Sequence, residues 1–164
     1  MKIYITYFYN VRFFKPNMIP ISTALWDPVW YHAGTHNQNK CFIDKNGVMN
    51  GIREESLALP EEKHPEEMCQ HDCPFKSKVP YCQFLEAYYK HLKSLDFKRL
   101  LLEFQRVADD VKKITHYEGG PEIVLLVHEK PDNPCSERAG LIQLFKDNNI
   151  DLKEWTADKS GIIF

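Results

Sequence analysis

Cys69, Cys73 and Cys82 fall at C-x3-C and C-x8-C spacing, with His71 between the first two. Zinc prefers thiolate sulfur and imidazole nitrogen, four ligands at a time in a tetrahedron. Cys69, Cys73, Cys82 and His71 make one such set, and His64 or Cys41 would serve as the fourth ligand in place of His71. The surrounding stretch, residues 57–79, carries Pro60, Pro65 and Pro74 and shows no helix or strand periodicity. A loop so long and so poor in core residues needs a staple to stay ordered, so zinc here would be structural rather than catalytic. Free thiols and a disulfide are the two other readings. Five cysteines, an odd count, with no recognisable export signal, point away from stable bridges and toward metal or reactive thiols.

A second set of chemistry-bearing residues lies in LLVHEKPDNPCSER, residues 125–138. Asn133 is a good N-cap and Pro134 a good first position for a helix running to about Lys146. Cys135 would then sit in the first helical turn, where backbone N–H groups and the macrodipole favour negative charge and a thiolate. With Cys135 as nucleophile, His128 or Glu129 would carry the proton. The other reading makes Cys135 an inert core residue, His128 scaffolding, and Glu129 and Arg138 a structural ion pair.

These residues need elements that bring them together. IYITYFY (3–9) is continuously apolar, as a strand buried on both faces would be. MIPISTALW predicts a second strand ending at Trp26, because Pro28 cannot donate to a ladder. CFIDKNGVMNGI carries Asn46-Gly47, a hairpin signal. Tyr81, Phe84, Leu85, Tyr88, Leu92 and Leu95 share one helical face, and Phe97, Leu100, Leu101, Phe104, Ala108, Val111 and Ile114 another. Asp96 is the expected N-cap of the second helix and Gly119-Gly120-Pro121 its stop. EIVLLVH and IDLKEW read as further strands.

Strand, helix and strand in that order imply a parallel sheet. The expected fold is therefore a single α/β domain over 1–164, three-layered, with a mostly parallel sheet and helices on its faces. A hairpin plus Cys-rich insertion occupies 33–79 within it. In open parallel sheets ligands bind at the carboxyl ends of the strands. That rule gathers Asn10 and Arg12, then Trp26, Asp27 and Trp30, then His128, Glu129 and Lys130, and finally Cys135, Ser136 and Arg138 around one mouth. Arg12, Lys130, Ser136 and Arg138 suit an anion, and Trp26 and Trp30, flanking Asp27, suit a ring.

Composition narrows the field. A net charge of −2 argues against a general nucleic-acid coat, which draws on many Lys and Arg. No run approaches the ~20 apolar residues of a membrane span. Thr6, Asn10 and Arg12 interrupt the apolar N-terminus, which is read as a strand rather than a signal peptide, and the protein as cytoplasmic. No P-loop, GxGxxG or serine-triad pattern is present in the sequence.

The stretches MIPISTALWDPVWY, HEKP with its short loop to Cys135, and IDLKEW resemble, in that order, the family called domain of unknown function 488, small bacterial and phage proteins. The resemblance covers residues 1–31 and about 80–155, and its most specific element is Glu129-Lys130-Pro131 followed by Cys135. It implies an α/β fold and a site at Cys135, Glu129 and Lys130. Val127 and Ser136-Glu137 stand where many members carry a cysteine and a His-Arg pair.

Two functions follow as expectations. One is a protein that receives a small anionic ligand, nucleotide-like in type, at the strand ends, with or without a reaction. The other is a non-enzymatic binding or sequestering protein of a phage or mobile element, acting on a host protein or a signalling nucleotide.

Overall fold

The computed structural model describes residues 1–34, 40–65 and 83–157. The described strands are β1 (Lys2–Tyr7), β2 (Met18–Ser22), β3 (Phe42–Ile43), β4 (Met49–Asn50), β5 (Glu122–Val127) and β6 (Lys153–Glu154). The described α-helices are α1 (Gln83–Lys93), α2 (Phe97–Thr115) and α3 (Arg138–Asp147). Short 3-10 turns cover Phe8–Phe13 and Val29–His32.

β2, β5, β1 and β6 lie side by side in that order, every pair parallel, which makes this an α/β domain. The apolar runs have the reason expected of them: both faces of the sheet are covered. Ile5, Ile19, Ile21, Ile123 and Leu125 pack on one face against Tyr88, Leu92, Phe104, Leu141 and Phe145 of the three helices. Met18, Val124 and Leu126 pack on the other against Phe8, Val11, Phe14, Tyr31 and Val48. The α-helices thus share one face, while 3-10 turns and the β3–β4 hairpin form the opposite layer. Each fully buried Ile or Leu in these layers contributes roughly 1.5–3 kcal/mol.

Pro20 sits inside β2 because β2 is an edge strand, where a missing N–H breaks no ladder. Its carbonyl accepts from the Tyr31 hydroxyl at 3.0 Å, and that hydroxyl also reaches Ile52 O at 2.7 Å. Asp96 caps α2 as expected, accepting from Arg99 N at 3.2 Å. The hairpin turns at Gly47 with φ +81, a conformation that favours glycine.

The structure corrects several boundaries. β2 ends at Ser22, four residues before Trp26, since Thr23 turns to bond Leu126 O through both its N–H and its hydroxyl, at 3.2 and 2.8 Å. α2 ends at Thr115, before the glycines, with His116 in the left-handed region at φ 53, and Ile114 is half exposed rather than buried. α3 begins at Arg138, not Pro134. The buried Ser136 hydroxyl accepts the Arg138 N–H at 3.1 Å and starts the helix there. Cys135 is therefore in the turn before the helix rather than in its first turn. The helix-terminus argument for a stabilised Cys135 thiolate loses its geometric basis.

Candidate functional site

β1 and β5 are neighbours, yet their chains leave in opposite directions. The chain after β1 runs over the face of Phe8, Val11 and Phe14, and the chain after β5 reaches α3 on the helical face. Such a divergence opens a crevice at the carboxyl ends of the two strands. Phe8 and His128 meet across it with ring centroids 4.9 Å apart. The His128 Nε2 lies 2.5 Å from Trp26 O. A carbonyl only accepts, so Nε2 carries the proton and His128 ties the β5 exit to the β2 exit.

A chain of buried and half-buried polar side chains links β1, β6 and the start of α3. Asn10 donates to the Thr6 hydroxyl at 2.8 Å, and that hydroxyl interacts with the Glu154 carboxylate. Arg138 Nε donates to Glu154 Oε1 at 2.6 Å, and its Nη1 reaches the Ser136 hydroxyl at 3.4 Å. Arg138 and Ser136, expected at an anion, are buried here and joined to Glu154 and to each other. Burial pushes the Glu154 carboxyl up, against the opposing pull of Arg138. Glu137 is pushed up to about 8, first by burial and then by the neighbouring Glu129 charge. A carboxyl of that kind carries its proton at neutral pH.

On the β2 side Asp27, also expected at a ligand, is held inside the protein. Its carboxylate takes a hydrogen bond from Ser22, lies 2.7 Å from His32 Nε2 and pairs with Arg53 Nε at 3.2 Å. Trp26, in contrast, is 71% exposed. Lys130 is exposed, while Glu129 and Cys135 are half-buried. Cys135 donates its backbone N–H to Asn133 Oδ1 at 2.8 Å.

Arg12 and Trp30 do come together. Both line a cavity of about 350 Å³ between the turn after β1, the turn at Val29–His32 and the β3–β4 hairpin. That volume lies within the range of small-molecule pockets. Tyr9, Val11, Ala33 and Phe42 supply more apolar wall, and Asp44, Asn46 and Asn50 the polar side. The Arg12 guanidinium stacks on the Tyr9 ring at 3.6 Å and its Nε donates to Tyr9 O at 3.0 Å. Among the described residues no carboxylate pairs with Arg12. Asp44 is occupied by its own turn, accepting from Asn46 N at 2.8 Å and Val48 N at 3.0 Å. Tyr9 and the paired residues Phe42 and Asn50 escape a reading of the sequence because they belong to two separate segments. The hairpin signal at Asn46-Gly47 shows a turn, not that the turn closes over Arg12.

Cys69, Cys73, Cys82 and His71, the expected zinc ligands, lie outside the described residues. Among the described residues no group of three or more His, Cys, Asp or Glu is arranged to hold a metal. His64 instead places Nε2 2.9 Å from Leu59 O and its ring against Phe84. No described helix is long and apolar enough to cross a membrane. Comparison with protein-family models, with curated proteins and with solved structures finds no match for this chain.

Proposed function

We propose that this chain binds a small anionic molecule bearing a planar ring, of the nucleotide class, in the cavity that Arg12 and Trp30 share. The observation that supports this is the pairing of a guanidinium held flat on Tyr9 with aromatic walls in one concave space of ligand size. Arg12 offers its remaining N–H groups to a phosphate or carboxylate, and a flat guanidinium suits such acceptors in pairs. Trp30, 44% exposed, offers a face to a ring. Lys130 and Trp26 belong to the outer rim of the same reading. A zinc held by Cys69, Cys73, Cys82 and His71 would be a structural staple of the adjoining insertion. Kinship with the domain of unknown function 488 family is part of this proposal and rests on Glu129-Lys130-Pro131 and Cys135.

Titration of the native protein with adenosine 5′-monophosphate, adenosine and inorganic phosphate, followed by tryptophan fluorescence, tests it. The monophosphate is expected to bind more tightly than either part alone. Equal and negligible responses to all three would remove the reading. A second reading, sequestration of a protein without turnover, draws on Trp26 and Val29, which are 71% and 81% exposed beside the strand ends. Mixing with a labelled nucleotide and with candidate host proteins separates the two, since a protein sequesterer needs no nucleotide.

A further inference from the structure

We propose that Asn50 selects, for the cavity shared by Arg12 and Trp30, a ring that carries an exocyclic amino group. The inference rests on the anionic-ring reading above and says which rings that reading admits. Phe42 and Asn50 stand opposite each other across the β3–β4 hairpin, so their side chains leave from one face of it. Asp44, two residues on from Phe42, leaves from the same face. All three line the cavity.

The Asn50 amide has one orientation. Its Nδ2 donates to Asp44 Oδ2 and to Val48 O, both at 3.1 Å. Turning the amide over would set Oδ1 against a carboxylate and a carbonyl, with no proton between them. Asp44 is held in turn through its other oxygen, by the Asn46 and Val48 N–H groups at 2.8 and 3.0 Å. It is a positioning residue, acting through Asn50. Asn50 itself is 3% exposed. Yet among the described residues nothing donates to its Oδ1, and that atom is not sealed off from solvent. A buried side chain with both amide protons engaged thus opens a fixed acceptor to the cavity it lines.

Such an acceptor needs an N–H from the ligand. An exocyclic amino group supplies one and brings no carbonyl beside it. A lactam edge, with C=O next to N–H, would bring that carbonyl near the Asp44 charge, which repels it. The anionic group belongs on the other wall for the same reason. Arg12 lines the cavity from the turn after β1, and no ion pair joins it to Asp44. Asn46 shares the hairpin wall, but it is exposed and its side chain makes no hydrogen bond among the described residues, so it has no fixed end to select with. The ligand class is therefore an amino-substituted heterocycle joined to a phosphate or carboxylate, with its amino edge on the hairpin and its anion at Arg12.

Two nucleotide pairs that differ only in the amino group test this by calorimetric titration of the native protein. They are adenosine against purine riboside 5′-monophosphate, and cytidine against pyrimidin-2-one riboside 5′-monophosphate. In each pair that binds, the amino form is expected to bind at least ~10-fold more tightly, the scale of leaving one desolvated acceptor without a donor. Asn50→Leu removes Oδ1 and is expected to bring that ratio close to one. Should the variant fail to fold, the native ratio decides alone. Equal affinities within every pair that binds overturn the role of Asn50 and leave the anionic-ring reading standing. A folded Asn50→Leu that keeps the native ratio puts the amino contact elsewhere and overturns it too. No binding of any of the four removes the anionic-ring reading and this inference together.

Discussion

Arg138 Nε donates to Glu154 Oε1 at 2.6 Å, tying the first residue of α3 to the last residue of β6. The Arg138 side chain is 8% exposed and that of Glu154 23%. Removing one partner leaves the other charge partly buried without compensation. Arg138→Met is expected to cost about 2 kcal/mol in urea unfolding, below the full cost of breaking a wholly buried pair because Glu154 is partly solvated. The double variant R138M/E154M should recover most of that loss. A double variant as unstable as the single one would show that shape, not charge, matters here.

Glu137 gives a pH dependence with a definite sign. Its folded pKa of about 8 stands above the ordinary 4.5. Between those values the folded chain keeps a proton that the unfolded chain has released. The group's contribution therefore falls as pH rises through that window, by at most about 1.4 kcal/mol per unit. Glu137→Gln keeps the neutral form throughout. Its stability relative to the native chain, from urea unfolding, should be near equal at pH 4.5 and clearly higher at pH 8.5. A difference that does not change with pH would contradict the burial of this carboxyl.

Arg12 is exposed and makes no carboxylate pair among the described residues, so its loss should spare the fold. Arg12→Ala is expected to change stability by under about 0.5 kcal/mol, as for ordinary surface positions. It should weaken nucleotide binding at least tenfold, the scale of one charge-assisted hydrogen bond. Trp30→Ala should weaken binding too but also cost stability, because Trp30 packs edge-on against Phe8 and Tyr31. Unchanged affinity in both variants would place the ligand elsewhere.

The zinc proposal is checked by content rather than by activity. Protein made without chelators should carry about one zinc per chain, by elemental analysis, for a single tetrahedral site. Replacing both Cys69 and Cys73 by Ser should abolish it and lower the melting temperature. Metal content that survives the double replacement would rule out these ligands.

The sequence alone carried the sheet. Runs such as IYITYFY and EIVLLVH have no polar alternation, as in a strand covered on both faces. The strand formed by the first nevertheless stops at Tyr7 and that formed by the second at Val127, leaving Tyr9 and His128 exposed. The Asp96 cap and the Asn46-Gly47 turn were legible for the same kind of reason: each acts within a few residues of itself. Where long-range partners compete, local signals lose. Asn133-Pro134 is a sound helix start, yet Ser136 takes the Arg138 N–H and moves the start beyond Cys135. Thr23 bonds Leu126 O and stops β2 before Trp26. Asp27 and Arg138 read as ligand contacts because they sit at strand and helix ends, but their partners Arg53 and Glu154 come from other segments. A lone sequence shows which side chains carry charge; which charge is already neutralised by a neighbour depends on distances between segments, and those exist only once the chain is folded.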